Sequence, residues 1–176
     1  RKVTLPPASS ALSAIEKEAI RLNPGLNRAL YAIALGMRSD GVREWNYTTN
    51  LHTRGGMSER ELLAAADFAC QREVWDRCIN TSERTRHEID LEQRFPMPFR
   101  SEVTAQAQSI GLDPAYVYGL IRQESRFIID ARSHVGASGL MQVMPATARW
   151  TAKRMGVELR PDWREDRQLN LALGTY

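Results

Sequence analysis

The stretch DPAYVYGLIRQES, residues 113–125, indicates how the second half of the chain folds. Asp113 is a typical N-cap residue, and Pro114 suits the first helical position because the N–H that proline lacks would have no helical partner there. Helical periodicity of the same kind dominates the whole chain, and no run shows the alternating pattern of a strand. The sequence therefore predicts an all-α protein.

A carboxylate follows on the apolar side of this helix. Val117, Leu120 and Ile121 recur at the spacing that gives a helix one apolar face, and the next position of the series is Glu124. An unpaired charge that faces the core is costly, and the last turn of a helix carries the negative end of the dipole. Both effects disfavour the ionised form, so Glu124 is predicted to be a carboxylic acid that can protonate a leaving group. The alternative is a structural ion pair with a neighbouring arginine.

A Gly-rich segment comes next, SHVGASG at residues 133–139, in which the backbone can approach a ligand closely. It continues into LMQVMP at 140–145 and then into a predicted helix over 145–156. Met144 offers a flexible apolar wall to a ligand, and Gln142 supplies both a donor and an acceptor. By itself this loop is a weak indication, because Met and Gln are more often ordinary packing and surface residues.

Together these residues resemble the signature of the soluble lytic transglycosylases, a family with a lysozyme-like fold. The resemblance covers residues 113–148, with QES at 123–125, then Ser133, then VGASGLMQVMPATA at 135–148. Residues 170–176 are similar to the helix that follows in the family. A pattern as long as GASGLMQ-x-MP-x-TA is specific.

The resemblance implies a peptidoglycan-cleaving enzyme with Glu124 as its single acid and base. Glu124 would protonate the oxygen that joins N-acetylmuramic acid to N-acetylglucosamine. No second carboxylate lies at a recognisable spacing, so the two-carboxylate scheme of most glycosidases does not fit. In the family the N-acetyl group of the substrate assists, and the 6-hydroxyl then attacks the anomeric carbon to give a 1,6-anhydro end. A lysozyme-type hydrolase that uses the same Glu with water is the alternative within this class.

The resemblance also implies substrate-binding residues. Ser133, Gln142 and Met144 match family positions that hold the N-acetyl group and line the cleft, and Thr147 is a further candidate. In the family an AYNAG-like motif follows, whose Tyr and Asn complete the site. The sequence ends at Tyr176 without that motif. We therefore expect an incomplete catalytic domain whose cleft lacks one wall, and an inactive fragment if this stretch stands alone.

The first half of the chain predicts short helices separated by turns. Shifting the sequence by 32 residues gives eight identities over positions 28–54, among them Leu30 with Leu62 and Val42 with Val74. Such a period predicts stacked helical hairpins, a superhelical or TPR-like region. This region either binds protein partners or supports the next domain, and support is favoured because two hairpins form little concave surface. The predicted helices span residues 10–22, 26–38, 41–52, 58–71 and 73–84.

A domain boundary is predicted at RFPMPFR, residues 94–100. Pro96 and Pro98 cannot both lie inside a helix, so this segment is expected to be extended. The chain then divides into a helical-hairpin region over 1–93 and the first part of a lysozyme-like catalytic domain over 94–176.

Cys70 and Cys78 lie eight residues apart. On one straight helix this separation amounts to about 12 Å at a rise of about 1.5 Å per residue, beyond the reach of a disulfide. A turn between them would permit a bridge, and the periplasmic location that the resemblance implies would preserve it. Two separate buried thiols are nevertheless the favoured expectation. No Cys or His lies at metal-ligand spacing beside them, so no metal site is predicted.

Composition limits the classes of partner. The 24 basic and 21 acidic residues give a net charge of +3, and they are dispersed. No basic stripe with interleaved aromatic residues is evident, so a nucleic-acid module is not expected. We expect no cofactor, glycan strands of peptidoglycan as partner, and other cell-wall enzymes as further partners. A non-catalytic helical-repeat adaptor is the alternative from another class, and outer-membrane association is an option for a periplasmic protein without an apolar run that could span a bilayer.

Overall fold

The computed structural model describes residues 4–51 and 55–176, and within them it contains ten α-helices, three isolated β-bridges and no strand. The all-α prediction is therefore confirmed. None of the described helices is long and apolar enough to cross a membrane. Two compact units divide the chain, one ending at Pro96 and one beginning at Met97. The helices are α1 (Ala14–Arg21), α2 (Pro24–Ala34), α3 (Arg38–Asn50), α4 (Glu59–Gln71), α5 (Trp75–Ser82), α6 (Leu91–Arg94), α7 (Arg100–Ser109), α8 (Pro114–Glu124), α9 (Pro145–Met155) and α10 (Arg167–Thr175).

Small residues bring α2 and α3 of the first unit close together. A Cβ atom at Gly41 would lie 2.5 Å from the carbonyl oxygen of Ala29 and 2.6 Å from the side chain of Ile33. A Cβ atom at Gly25 would collide with Thr48. Neither position admits a larger residue while the two helices keep this distance.

A second helix pair, α4 and α5, follows the first, and its helices start 35 and 37 residues after α2 and α3. The indole N–H of Trp45 in α3 donates to the hydroxyl of Thr81 in α5 at 2.9 Å, and both residues are buried. A buried indole N–H needs such a partner, so this hydrogen bond ties the first pair to the second. The alanines of α4 are buried in the same hydrophobic cluster as Trp45: Ala64, Ala65, Ala66 and Ala69.

The two cysteines form a disulfide, so the expectation of separate thiols is wrong. The chain reverses between α4 and α5 at Glu73, whose φ is 58°. This turn brings the Cα atoms of Cys70 and Cys78 to 5.1 Å, within disulfide range. A break between the helices was predicted, but its direction was not, because no Gly or Pro marks a reversal in the intervening sequence.

Several helix ends follow the capping residues that the sequence offers. Ser58 and Glu61 form a capping box at the start of α4. Gly111 and Gly156, with φ of 70° and 69°, follow α7 and α9. The short α6 was not predicted, because four residues are too few to show periodicity. The predicted end of the third helix, at position 52, lies outside the described residues.

The second unit packs α7 against α8 and α10, and α10 also against α9. Val117 and Ile121 of α8 are fully buried, as the apolar series predicts. Tyr118 is also buried and donates its hydroxyl to the carbonyl of Pro98 at 2.8 Å. This hydrogen bond fixes the beginning of the unit against the helix that ends in Glu124.

Removing the disulfide should lower the free energy of unfolding of the first unit by about 2–3 kcal/mol, because the bridge closes a loop of about nine residues in the unfolded chain. The Cys70→Ala/Cys78→Ala variant can be compared with the oxidised protein by urea denaturation. Reduced wild-type protein is the control for the loss of the sulfur atoms. Equal midpoints for the oxidised and the reduced protein would contradict the bridge.

Candidate active site

The backbone after α8 holds Glu124, the last residue of that helix, in one place. The next residue, Ser125, is buried; its hydroxyl donates to the carbonyl of Ile121 at 3.3 Å and accepts the N–H of Phe127 at 3.2 Å. Arg126 and Phe127 have φ of 49° and 66°, a region that costs a non-glycine residue about 1–3 kcal/mol. Because the ring of Phe127 is buried, its packing offsets this strain and keeps the helix end in a single conformation.

Glu124 itself is exposed, and among the described residues it has no hydrogen bond or ion pair. The predicted core-facing position is therefore wrong, and the protein core does not desolvate the carboxyl group. Periodicity gives the direction of a side chain, but it does not say whether another element covers the end of the helix. The alternative of an ion pair with Arg122 or Arg126 is not formed either. The carboxyl group is thus open to a ligand.

The Gly-rich segment folds into a loop that its own backbone holds together. The hydroxyl of Ser133 accepts the N–H of Ala137 at 3.0 Å, and the N–H of Ser133 donates to the carbonyl of Ala137 at 2.9 Å. Ser138 and Val143 exchange two backbone hydrogen bonds of 3.1 and 3.0 Å. Ser133 is half-buried, and its hydroxyl hydrogen has no acceptor in the part of the chain that the structure describes, so it can donate to a ligand.

Gln142 stabilises this loop with the amide group that was expected to bind substrate. Its Nε2 donates to the carbonyls of Ala131 and Gly139 at 3.0 and 2.9 Å, which occupies both amide hydrogens. The expectation that Gln142 supplies a donor to the ligand is therefore wrong, and its side-chain carbonyl is left as an acceptor. Gln142 also has a φ of 48°, a strained conformation that these two bonds help to maintain.

Asn170 of α10 is a site residue that was not recognised from the sequence. Its side chain is almost fully buried, with 1% exposed. Oδ1 accepts the N–H of Met141 at 2.8 Å, and Nδ2 donates to the carbonyl of Ser138 at 3.0 Å. Both ends of the amide thus bind the loop. The resemblance of residues 170–176 to a family helix was the available signal, but it did not single out this side chain.

Two glycines make this contact possible. A Cβ atom at Gly139 would lie 2.5 Å from the carbonyl oxygen of Arg164 and would also collide with Asn170. One at Gly174 would lie 2.7 Å from Cγ of Met141. Gly139 was expected to let a ligand approach, but the close neighbour is the protein itself. Gly136, in contrast, has open space around its Cα.

Met144 and Thr147 lie together at the beginning of α9, and both are exposed. The structure therefore places Ser133 and Gln142 in one loop and the other two candidates directly after it. Glu124 forms no hydrogen bond with any of these four residues in the described chain. Their convergence on one substrate stays a prediction.

A comparison with known families identifies the class of this unit. Residues 102–176 match the family model described as the Transglycosylase SLT domain. The chain is 30% identical over 162 residues to the soluble lytic murein transglycosylase of Salmonella typhimurium, a match that covers 89% of this chain and 24% of that protein. The corresponding Escherichia coli K12 protein is 30% identical over 67% of the chain and 19% of its own length.

Solved structures agree with this class. The lytic transglycosylase Slt from Pseudomonas aeruginosa superposes with a TM-score of 0.80 at 30% identity, over 94% of this chain and 26% of that one. The 70 kDa soluble lytic transglycosylase of Escherichia coli shares the fold, with a TM-score of 0.76 at 24% identity over 99% of this chain and 27% of that one. The chain belongs to the soluble lytic transglycosylase family. It spans about a quarter of the length of these relatives, and the matches do not favour the adaptor alternative.

Asn170→Ala should lower the free energy of unfolding of the second unit by about 1–3 kcal/mol, because the buried N–H of Met141 would lose its partner, whereas the carbonyl of Ser138 would keep the N–H of Val143. Urea denaturation and hydrogen exchange at the Met141 amide measure the effect. Gln106→Ala is the matched control. It removes a half-buried side-chain amide of α7 that donates to the hydroxyl of Thr175 in α10, and water can replace this amide. An unchanged hydrogen-exchange rate of the Met141 amide in Asn170→Ala would show that Asn170 does not hold the loop.

Proposed function

We propose that the second unit is part of a peptidoglycan lytic transglycosylase in which Glu124 is the single general acid and base. The observation that carries this proposal is the position of Glu124: an exposed carboxyl group without a partner in the described chain, at a helix end that buried neighbours hold in place. A structural Glu would be paired, and a merely solvated one would not need the strained backbone that follows it.

In the first step Glu124 donates its proton to the oxygen between N-acetylmuramic acid and N-acetylglucosamine. The carbonyl oxygen of the substrate's own N-acetyl group attacks the anomeric carbon as the C–O bond breaks, so the electron pair of that bond leaves with the protonated oxygen. Glu124 is then a carboxylate. No second protein carboxylate is needed, because the N-acetyl group takes the place of the nucleophile.

In the second step the 6-hydroxyl of the same sugar attacks the anomeric carbon, and the bond to the N-acetyl oxygen breaks. The carboxylate of Glu124 accepts the hydroxyl proton, which restores the acid for the next cycle. The product is a 1,6-anhydro end. Water in place of the 6-hydroxyl would give a reducing end, so the product distinguishes transfer from lysozyme-type hydrolysis.

Because Glu124 is exposed, the glycan and not the protein core must exclude water from it. A sugar ring that covers the carboxyl group would strengthen its hydrogen bond to the leaving oxygen by removing competing solvent. In this arrangement Ser133 donates its hydroxyl to the N-acetyl group, and Gln142 contributes only its carbonyl oxygen. Met144 and Thr147 form the wall at the start of α9, with Met144 exposing 40% of its surface as an apolar contact for the sugar face.

The relatives support this reaction. The Salmonella typhimurium and Escherichia coli proteins are named soluble lytic murein transglycosylases. The Pseudomonas aeruginosa structure is that of an inactive mutant in which Gln replaces a Glu. Peptidoglycan strands are thus the proposed substrate and the periplasm the proposed location. We also propose a catalytic domain that begins near position 94, and a first unit that supports it.

Glu124→Gln should reduce turnover of purified sacculi by about 10²–10⁴-fold or more, because Gln can neither deliver the proton nor take it back. Glycan affinity should stay within about twofold, since binding does not need the acid. Turnover is measured as 1,6-anhydro muropeptides by mass spectrometry of the intact protein's digests. Glu92→Gln makes the same chemical change at another exposed Glu and should leave turnover unaltered. If Glu124→Gln keeps more than about a tenth of the activity, the acid has been misassigned.

A further inference from the structure

The outer face of α9 carries three cationic side chains around a tryptophan. Arg149, Lys153 and Arg154 are exposed, and Trp150 exposes 59% of its surface. At 3.6 residues per turn these four positions span about 140° of the helix circumference, and the buried residues of α9 lie on the other side. We call these four residues the α9 basic face.

The charges of this face have no acidic partner. None of the three cations forms an ion pair with a described residue, whereas Arg28, Arg132 and Arg167, for example, are each paired with a Glu. Lys153 and Arg154 lie in the last turn of α9, where cations complement the helix dipole. The dipole does not account for Arg149 one turn earlier, nor for an exposed tryptophan beside it.

A cation–π contact orients the tryptophan. The guanidinium of Arg154 lies over the ring of Trp150, 5.0 Å from its centroid. This cation–π contact covers one face of the indole and leaves the other face for a ligand. A flat ring that is already oriented loses little conformational freedom when a ligand stacks on it.

The α9 basic face continues the proposed substrate site. Thr147, Trp150 and Arg154 follow one another at i, i+3 and i+7, so they form one stripe along the helix. Trp150 lies about 4.5 Å further along the axis than Thr147 at a rise of about 1.5 Å per residue. A substrate that contacts Met144 and Thr147 can therefore extend onto this face.

We propose that the α9 basic face binds the anionic stem peptides that project from the peptidoglycan strand. This inference rests on the proposed function, because it takes the strand at the start of α9 as given. The free carboxylates of the stem peptides pair with guanidinium and ammonium groups, and an adjacent sugar ring stacks on the open side of the indole. A nucleic acid is the less fitting polyanion, since it requires a longer basic groove with several aromatic residues.

No such stripe is evident in the sequence because Thr151 and Ala152, which separate the two halves of the face along the chain, point into the protein. Only the helix brings Arg149 and Trp150 next to Lys153 and Arg154. The expectation that basic and aromatic residues do not interleave therefore does not hold for α9.

The test compares two soluble glycan strands of equal length, one with its stem peptides and one from which an amidase has removed them. The intact protein carries Glu124→Gln so that neither strand is cleaved. Arg149→Gln/Lys153→Gln/Arg154→Gln should weaken binding of the peptide-bearing strand about tenfold and leave the peptide-free strand within about twofold. Trp150→Ala should weaken binding of both strands about threefold, because the ring stacks on sugar.

The matched control is Arg21→Gln/Arg28→Gln/Arg43→Gln, which removes the same three charges from exposed positions of the first unit. It should leave the affinity for both strands within about twofold, because the charges it removes lie outside the face. Equal losses in the control and in the α9 variant would show a general charge effect and overturn the proposal.

Three further outcomes would also overturn the proposal. The α9 variant could lose affinity equally for the two strands, or the Glu124→Gln protein could fail to bind the peptide-bearing strand. That protein could also bind a single-stranded oligonucleotide of matched charge more tightly than the peptide-bearing strand. The measurement is separate from turnover. If the protein with an intact Glu124 yields no 1,6-anhydro ends, the proposed reaction fails, whereas the affinities of the two strands still decide the role of the α9 basic face.

Discussion

The buried amide of Asn170 joins parts of the second unit that the chain separates by about thirty residues. One side-chain group holds the N–H of Met141 and the carbonyl of Ser138, and without it the N–H of Met141 would lie in the interior with no partner in the described chain. The loop can reach Asn170 only because Gly139 has no side chain. Gln142 then completes the arrangement from within the loop by bonding two of its carbonyls. The conformation of the GASGLMQ segment is thus a property of its contact with α10.

The loop that Asn170 holds lies between the two parts of the proposed active site. Before the loop, α8 ends in a strained turn that the burial of Phe127 maintains, and Glu124 stands at its edge without a partner in the described chain. After the loop, Met144 is the N-cap residue of α9, so the contact of Asn170 with the loop also sets where that helix starts. In the proposed reaction the protein therefore sets the position of Glu124, while the substrate excludes water from its carboxyl group. Under the proposed function, Glu124 therefore acts as an acid only when a glycan covers it.

The same helix connects the reaction with recognition. The first turn of α9 holds Met144 and Thr147, and its next turns present the α9 basic face. A strand that lies along the helix would meet an apolar wall first and cationic groups afterwards. Because the helix is rigid, the spacing between the cleaved bond and the bound stem peptide would be fixed by the rise of α9. This offers a physical basis for a preference among substituted strands.

The sequence by itself determined the features that depend on a few neighbouring residues. Several helix ends depend on residues within one helical turn, so local chemistry predicts them. These residues are Asp113 with Pro114, Ser58 with Glu61, and the two glycines after α7 and α9. The apolar series of α8 and the motif from QES to MPATA were also recognisable from the sequence. The predicted start of the first helix at position 10 is wrong: α1 begins at Ala14, because Ser13 and Glu16 form its capping box.

Only the tertiary structure decided what each of these side chains meets. Glu124 is exposed although its spacing points to the core, Gln142 uses its amide inside the protein, and Cys70 finds Cys78 across a turn that no Gly or Pro announces. Each outcome depends on a second element that approaches from a distant part of the chain, as α10 approaches the loop. Periodicity and motifs specify the direction and the type of a side chain, whereas burial and pairing are set by packing, which no short stretch of sequence contains.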